Sequence, residues 1–285
     1  MTQAPPGPSG APGPPGPSGP RARLRRPGLA ALRTSLGLFT VIPVRASPAV
    51  GDDDAARAVL WLPVVGALLA VPTAGVLLAV AGGDSTPRRL LAATLAIGVL
   101  ALLTGGLHLD GLADTTDGLG SRRPRDEALA IMRRSDIGPF GVAALIFVLL
   151  LQITALATVS PGWPAAAAVA AAAVTGRVAV VLATGPGSPP ARPGGFGALV
   201  AGATTAPARV AAAVLLLALV CGTAALAWGL VPALRGAAAV LAGLLAADVL
   251  RRIAKRRLGG MTGDVFGALI EVSTTTVLLV LALAS

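Results

Sequence analysis

The chain has 285 residues, of which 54% are hydrophobic and only 13% charged, with a mean hydropathy of +0.79. A soluble domain carries about 25% charged residues, so this composition excludes a water-soluble globular enzyme and describes an integral membrane protein partnered by the lipid bilayer. Net charge is +10, from 22 arginines and one lysine against 13 acids; no basic patch is interleaved with aromatic residues, so the excess speaks for membrane orientation and anionic headgroups, and no nucleic-acid partner is expected.

Residues 1–27 open with Pro, Gly, Ser and Ala and close with arginines at 21, 23, 25 and 26. They read as a disordered, basic tail. They are not a signal peptide, because the apolar stretch after them is interrupted by Arg33 and Pro43. Residues 28–285 read as a single transmembrane helical domain. Leu29, Leu32, Leu36 and Phe39 recur at helical spacing and predict an amphipathic or re-entrant helix at the inner surface, with a short span as the alternative. Seven long apolar runs follow, over about 58–81, 90–107, 140–159, 165–183, 210–230, 236–250 and 265–284. A helix needs about 20 apolar residues to cross a bilayer, so the fold class is all-α and polytopic, with the sixth span short. Pro63 and Pro72 are expected to kink the first span. Cys221 is the only cysteine, which rules out an intrachain disulfide and suggests no thiol metal site. The sequence specifies no oligomeric state.

Basic residues orient the spans. With the N-terminus in the cytoplasm, the inner side holds the arginines of 21–57 and 122–134, Arg192, Arg209 and the cluster at 251–257. The outer loops keep only Arg88, Arg89 and Arg235. That asymmetry follows the positive-inside rule and puts both chemically rich stretches, described next, on the cytoplasmic face.

The first is Gly105-Gly106-Leu107-His108-Leu109-Asp110-Gly111-Leu112-Ala113-Asp114-Thr115-Thr116-Asp117-Gly118-Leu119-Gly120. It holds the only histidine and three acids at i, i+4 and i+7, a spacing that gathers Asp110, Asp114 and Asp117 into one narrow helical stripe. Like charges on one stripe repel, and a divalent cation is the economical remedy. Carboxylates that meet a phosphate suit magnesium. The plain alternative is a solvated acidic helix end, although five glycines show that helix stability did not shape this segment. His108 is a candidate general base or simply a hydrogen-bonding residue beside a span.

The second stretch covers residues 251–271. Five cations precede a Gly-rich turn, Gly259-Gly260-Met261-Thr262-Gly263, which could cradle phosphate at a helix N-terminus. Asp264 and Glu271 are seven apart and share a helix face. Glu271 lies about two turns into an apolar run, where a carboxylate costs about 2.5–3.5 kcal/mol or more; such residues usually face a polar cavity. Arg252 is a candidate phosphate ligand. Asp248 either pairs locally with Arg251 and Arg252 or joins the site. Arg177 either snorkels or reaches a bound phosphate. Arg133, Arg134 and Asp136 form a polar turn before the third span; the arginines either neutralise phosphate or orient that span. No P-loop, Rossmann or H-E-x-x-H pattern is present.

Three blocks carry a resemblance. The stretch beginning Gly105-Gly106-Leu107-His108-Leu109-Asp110-Gly111 resembles the signature of the cobalamin synthase (adenosylcobinamide-GDP ribazoletransferase) family. Ala130-Ile131-Met132-Arg133-Arg134-Ser135-Asp136-Ile137-Gly138-Pro139-Phe140-Gly141 is similar to its next block. Leu258-Gly259-Gly260-Met261-Thr262-Gly263-Asp264-Val265-Phe266-Gly267-Ala268-Leu269-Ile270-Glu271 is similar to its C-terminal block. The resemblance covers about residues 28 to 285. It implies a magnesium-dependent enzyme of the bacterial plasma membrane, with its site facing the cytoplasm. A ribose hydroxyl of α-ribazole, or of its 5′-phosphate, attacks the phosphorus bonded to cobinamide, and GMP leaves. The resemblance implies Asp110, Asp114 and Asp117 as magnesium ligands, with one of them or His108 as base, and Asp264 and Glu271 completing the metal site. It implies Arg133, Arg134, Asp136, Arg177, Arg252, Gly260 and Thr262 around the corrinoid nucleotide and α-ribazole. The family often has a further carboxylate about one turn after the last glutamate, where this chain has Thr274 and Thr275. A CDP-alcohol phosphotransferase-like lipid enzyme is a rival, but its pattern puts arginine where Asp114 stands. A transporter is another, but no internal repeat supports it.

Overall fold

The structure is a computed structural model describing residues 28–44, 52–80 and 85–285. The tail reading for 1–27 lies outside the described residues. Among the described residues twelve helices follow one another: α1 Leu29–Phe39, α2 Asp52–Leu60, α3 Leu62–Val80, α4 Thr86–Leu103, α5 Leu107–Gly120, α6 Arg125–Ile131, α7 Pro139–Thr158, α8 Trp163–Ala183, α9 Gly195–Val200, α10 Ala206–Trp228, α11 Leu230–Leu258 and α12 Gly263–Leu283. Seven of them, α3, α4, α7, α8, α10, α11 and α12, are long and apolar enough to cross a membrane, which establishes a multi-pass membrane protein. The expected count of spans holds.

Three boundaries differ from expectation. The first predicted span begins too early. The chain turns at Trp61, so residues 52–60 form the separate helix α2 and Pro63 falls in the first turn of α3, where proline costs no hydrogen bond. The sixth span is the longest helix among the described residues, at 29 residues. Its charged last two turns, 251–257, lowered the apolar signal without ending the helix; Gly259, left-handed at φ 79°, does that. The residues beyond the expected end of the sixth span at 250 are therefore helical down to Leu258. Helix α1 is too short to span at 11 residues. It buries Ala31, Ser35 and Phe39, and lays Leu32 and Leu36 against Val65, Leu69 and Leu100, whereas Leu29 is exposed.

Helices α8 and α12 form the centre. The alanine-rich α8 packs on α3, α11 and α12, and α12 packs also on α5 and α7. Small side chains let these helices approach closely, the usual basis of helix association in lipid. At one end of the bundle the non-spanning helices gather on the α12 N-terminus. Phe39 of α1, Phe196 of α9 and Phe266 of α12 stack edge-to-face in series, with ring centroids 5.2 and 6.0 Å apart, contacts worth about 0.5–1.5 kcal/mol each beyond their buried area. At the opposite end, Arg89 of α4 donates to the Thr158 and Val159 carbonyls at 3.0 and 2.9 Å, closing the C-terminus of α7.

Candidate functional site

The acidic stretch becomes a helix because the chain turns back after α4. Gly105 and Gly106 take left-handed φ values of 61° and 72°, a conformation that glycine adopts freely, and α5 starts at the next residue. It then crosses α12 almost backbone to backbone. A Cβ on Gly111 would sit 2.6 Å from the Asp264 carbonyl oxygen, and one on Gly267 3.2 Å from the His108 Cα. This crossing is what brings Asp264 beside Asp110 and Asp114.

Burial, then the charges of Asp110, Asp264 and Asp117, push the Asp114 carboxyl up to about 6, against the pull of Arg192. Arg192, from the loop between α8 and α9, is the counter-charge: its Nη2 lies 3.5 Å from Asp264 Oδ2, and its Nη1 is buried without a hydrogen-bond partner. A cavity of about 620 Å³ adjoins the cluster, within the usual range for small-molecule sites. Asp110 lines it with Leu38, Phe39, Leu107, Ile137 and Leu145.

Two predicted residues of α5 turn elsewhere. Asp117 spends both carboxylate oxygens on backbone, Oδ2 accepting from Gly138 N–H at 2.7 Å and Oδ1 from Gly141 N–H at 2.9 Å. It caps the start of α7. His108 is buried against α12, with Nδ1 3.5 Å from Arg177 Nη2 and Nε2 unpartnered. Burial, and then the Arg177 charge, hold its pKa well below 6.5, so the ring is neutral at physiological pH. Among the described residues no three Asp, Glu, His or Cys side chains converge enough to hold a metal ion unaided.

Residues 31–282 match the family model described as cobalamin-5-phosphate synthase. The chain belongs to that family. The chain is 42% identical to a Frankia casuarinae protein over 88% of this chain and 94% of that one. It is 40% identical to a Bradyrhizobium diazoefficiens protein over 89% and 94%, and 40% identical to one from Citrobacter koseri over 84% and 93%. All three are named adenosylcobinamide-GDP ribazoletransferase. No solved structure matches the chain. These matches support neither the lipid phosphotransferase nor the transporter alternative.

In this cobalamin-5-phosphate synthase fold the remaining predicted residues fall into distinct surroundings. Glu271 is buried two turns beyond Asp264, and its partners lie outside the acid cluster. Its Oε2 accepts from Gln152 Nε2 at 2.8 Å, Gln152 also donates to Thr275 Oγ1 at 3.0 Å, and Arg177 lies within electrostatic reach. Arg177 itself is only 1% exposed and donates to its own helix at Ala173, so it does not snorkel; it forms an internal charge network with Glu271. Thr274 and Thr275 are buried members of the same interface.

The Gly-rich turn is not an open phosphate cradle. A Cβ on Gly260 would strike the Pro189 carbonyl, and Met261 exchanges backbone hydrogen bonds with Pro189 and Ala191 at 2.8 and 2.9 Å. Thr262 caps α12, accepting from Val265 N–H and donating to Asp264 Oδ2, both at 3.2 Å. This turn instead fixes the loop that carries Arg192, and Arg125 of α6 donates to the Ala191 carbonyl from the other side. Arg252 pairs with Asp248 at 2.6 Å, as does Arg251, so Asp248 takes the local ion-pair role. Arg133, Arg134 and Asp136 are exposed on the turn before α7, next to the cavity-lining Ile137. Sequence reasoning used Arg192 only for orientation and passed over Gln152. A lone amide in an apolar run was the available signal for Gln152; Arg192, within a Pro- and Gly-rich run, offered none.

Proposed function

We propose that the chain joins adenosylcobinamide-GDP to α-ribazole, or to its 5′-phosphate, with release of GMP, at this carboxylate cluster and on the cytoplasmic face. The observation that carries the reading is the gathering of Asp110, Asp114 and Asp264 beside Arg192 at the α5–α12 crossing, in a chain whose relatives are named for that transfer. A ribose hydroxyl attacks the phosphorus bonded to cobinamide. The new P–O bond forms as the bond from that phosphorus to the GMP oxygen breaks, and GMP departs with the electron pair.

Three carboxylates against one guanidinium repel an anionic pyrophosphate, and a divalent cation reconciles the two. Magnesium typically takes one or two carboxylates plus phosphate oxygens, which the donor set fits: Asp110 and Asp114 would hold it, while Asp264 is engaged with Arg192 and Thr262. Bound there, magnesium supplies neutralisation of the charge that grows on the phosphoryl and leaving oxygens. Arg192, with its free Nη1, and the exposed Arg133 and Arg134 orient the pyrophosphate. The hydroxyl proton goes to a carboxylate of the cluster, because His108 is sealed away with its Nδ1 against Arg177. The apolar cavity walls receive the non-nucleotide part of the substrate. The cytoplasmic orientation is supported by the arginines of 122–134, Arg192, Arg209 and 251–257 on one side against Arg88, Arg89 and Arg235 on the other.

The test is to incubate the purified protein with adenosylcobinamide-GDP, α-ribazole and magnesium. A corrinoid product and GMP in equal amounts are expected. Release of neither, from protein that binds the corrinoid, would overturn the reading.

A further inference from the structure

A second cavity, of about 330 Å³, lies where α8 ends, α10 begins and α11 finishes, and it shares no lining residue with the first. Its walls are apolar at Leu182 and Leu244 and polar at Arg209, Asp248, Arg251 and Ser188. The charges do not balance. Asp248 is shared by two guanidiniums, with Arg251 Nε at 2.8 Å from Oδ1 and Arg252 Nη2 at 2.6 Å from Oδ2. Arg251 also reaches the Ser188 hydroxyl with Nη1 at 3.3 Å. Arg209 is half-buried and has no hydrogen-bond or ion-pair partner among the described residues. Two guanidiniums, Arg209 and Arg251, therefore line the cavity with one acid whose charge is also drawn on by Arg252 from outside it, and between low-dielectric walls the unneutralised charge draws an anion strongly.

The position of Arg209 is specific. Its guanidinium lies on Gly185, where any Cβ would coincide with Nη1. It is also the fourth residue of α10, close to the positive end of the helix dipole, where a cation is disfavoured and an anion favoured. We propose that this cavity binds a phosphate ester, its phosphate held by Arg209, Arg251 and Ser188 and its apolar part lying against Leu182 and Leu244. Guanidinium groups suit phosphate because their planar donors engage two oxygens at once. The same chemistry is offered by an anionic phospholipid of the inner leaflet and by a water-soluble phosphomonoester.

The experiment follows the thermal unfolding midpoint of the full-length chain in detergent at constant ionic strength. It is titrated with dihexanoyl phosphatidylglycerol, with glycerol 1-phosphate, and with dihexanoylglycerol, which lacks phosphate. A saturable rise with one or both phosphate probes and none with dihexanoylglycerol is expected. A response to the phosphatidylglycerol alone names the lipid, and a response to glycerol 1-phosphate names the soluble ester. In Arg209→Gln the probe should bind at least about tenfold more weakly, the loss expected for a charge-assisted hydrogen bond. Gly185→Ala keeps every charge but displaces the guanidinium, so it should show a similar loss and carries the test if Arg209→Gln does not fold. No saturable response in wild type, an equal response to dihexanoylglycerol, or unchanged affinity in the variants overturns the proposal.

Discussion

The Asp117 carboxylate accepts the Gly138 N–H at 2.7 Å across a gap of 21 residues, and its other oxygen takes Gly141. A Cβ on either glycine would fall 2.4 Å from an Asp117 oxygen, so the carboxylate lies flat on the first turn of α7. Asp117 therefore differs in kind from Asp114, one turn earlier. In Asp117→Asn an amide N–H₂ must face one of the two backbone donors. The expected outcome is a loss of about 1.5–3 kcal/mol of stability, the scale of a hydrogen bond to a charged group. The magnesium concentration for half-maximal turnover should stay unchanged. Parallel unfolding and kinetic titrations check both.

Asp114→Asn should behave in the opposite way. It removes a charge from a mutually repelling set, so the variant should insert and fold as well as wild type. Turnover should drop by about a hundredfold or more, the cost of losing one stabilising group for transition-state charge, and activity should need more magnesium. Wild-type turnover with unchanged magnesium dependence would remove Asp114 from the metal site.

The raised Asp114 pKa gives a pH signature. The ordinary value is 3.8 and the folded one about 6, so between those values the folded chain keeps a proton that the unfolded chain has released. In a chelator, stability should therefore fall as pH rises through that window. Magnesium should reverse the slope, because it binds the ionised form. Unfolding midpoints from pH 4 to pH 7 in wild type and Asp114→Asn test this; the variant should give the flatter curve.

Gln152→Leu leaves the buried Glu271 carboxylate without its side-chain donor, and a loss of about 1.5–3 kcal/mol is expected. Glu271→Gln should also lower stability, since Arg177 then lacks a counter-charge, without shifting the magnesium requirement. A rise in that requirement would return Glu271 to the metal site.

Cysteine labelling near Arg125 and Lys255 should report the cytoplasm for both. A periplasmic signal at either position would reverse the orientation proposed for the site.

The spans were legible because apolar length is written locally, and so was the acidic stripe, because its spacing is a property of one helix. What each acid faces was not. Asp110, Asp114 and Asp117 look alike on a helical wheel, yet Asp117 is claimed by backbone that arrives with α7, and Asp264 comes in only because Gly111 and Gly267 let two helices touch. Glu271 was readable as a buried carboxylate needing a polar neighbour, but that neighbour, Gln152, is 119 residues away. The Gly-rich turn misled for a related reason: the same glycines serve an anion cradle or a tight backbone contact, and the contact with residues 189–191 decides between them.

The electrostatic coupling of the buried Arg177 and Glu271 also bears on how the protein is made. Arg177 belongs to α8, in the middle of the bundle, whereas its counter-charge belongs to α12, which is made only after α9, α10 and α11. Throughout the synthesis of α9, α10 and α11 the membrane must shelter a guanidinium with no acid to meet it. Until α12 inserts, that charge lacks the Glu271 carboxylate that offsets it in the folded bundle. A transcript truncated before α12 yields a chain with an unsheltered intramembrane cation, a ready mark for quality-control proteolysis.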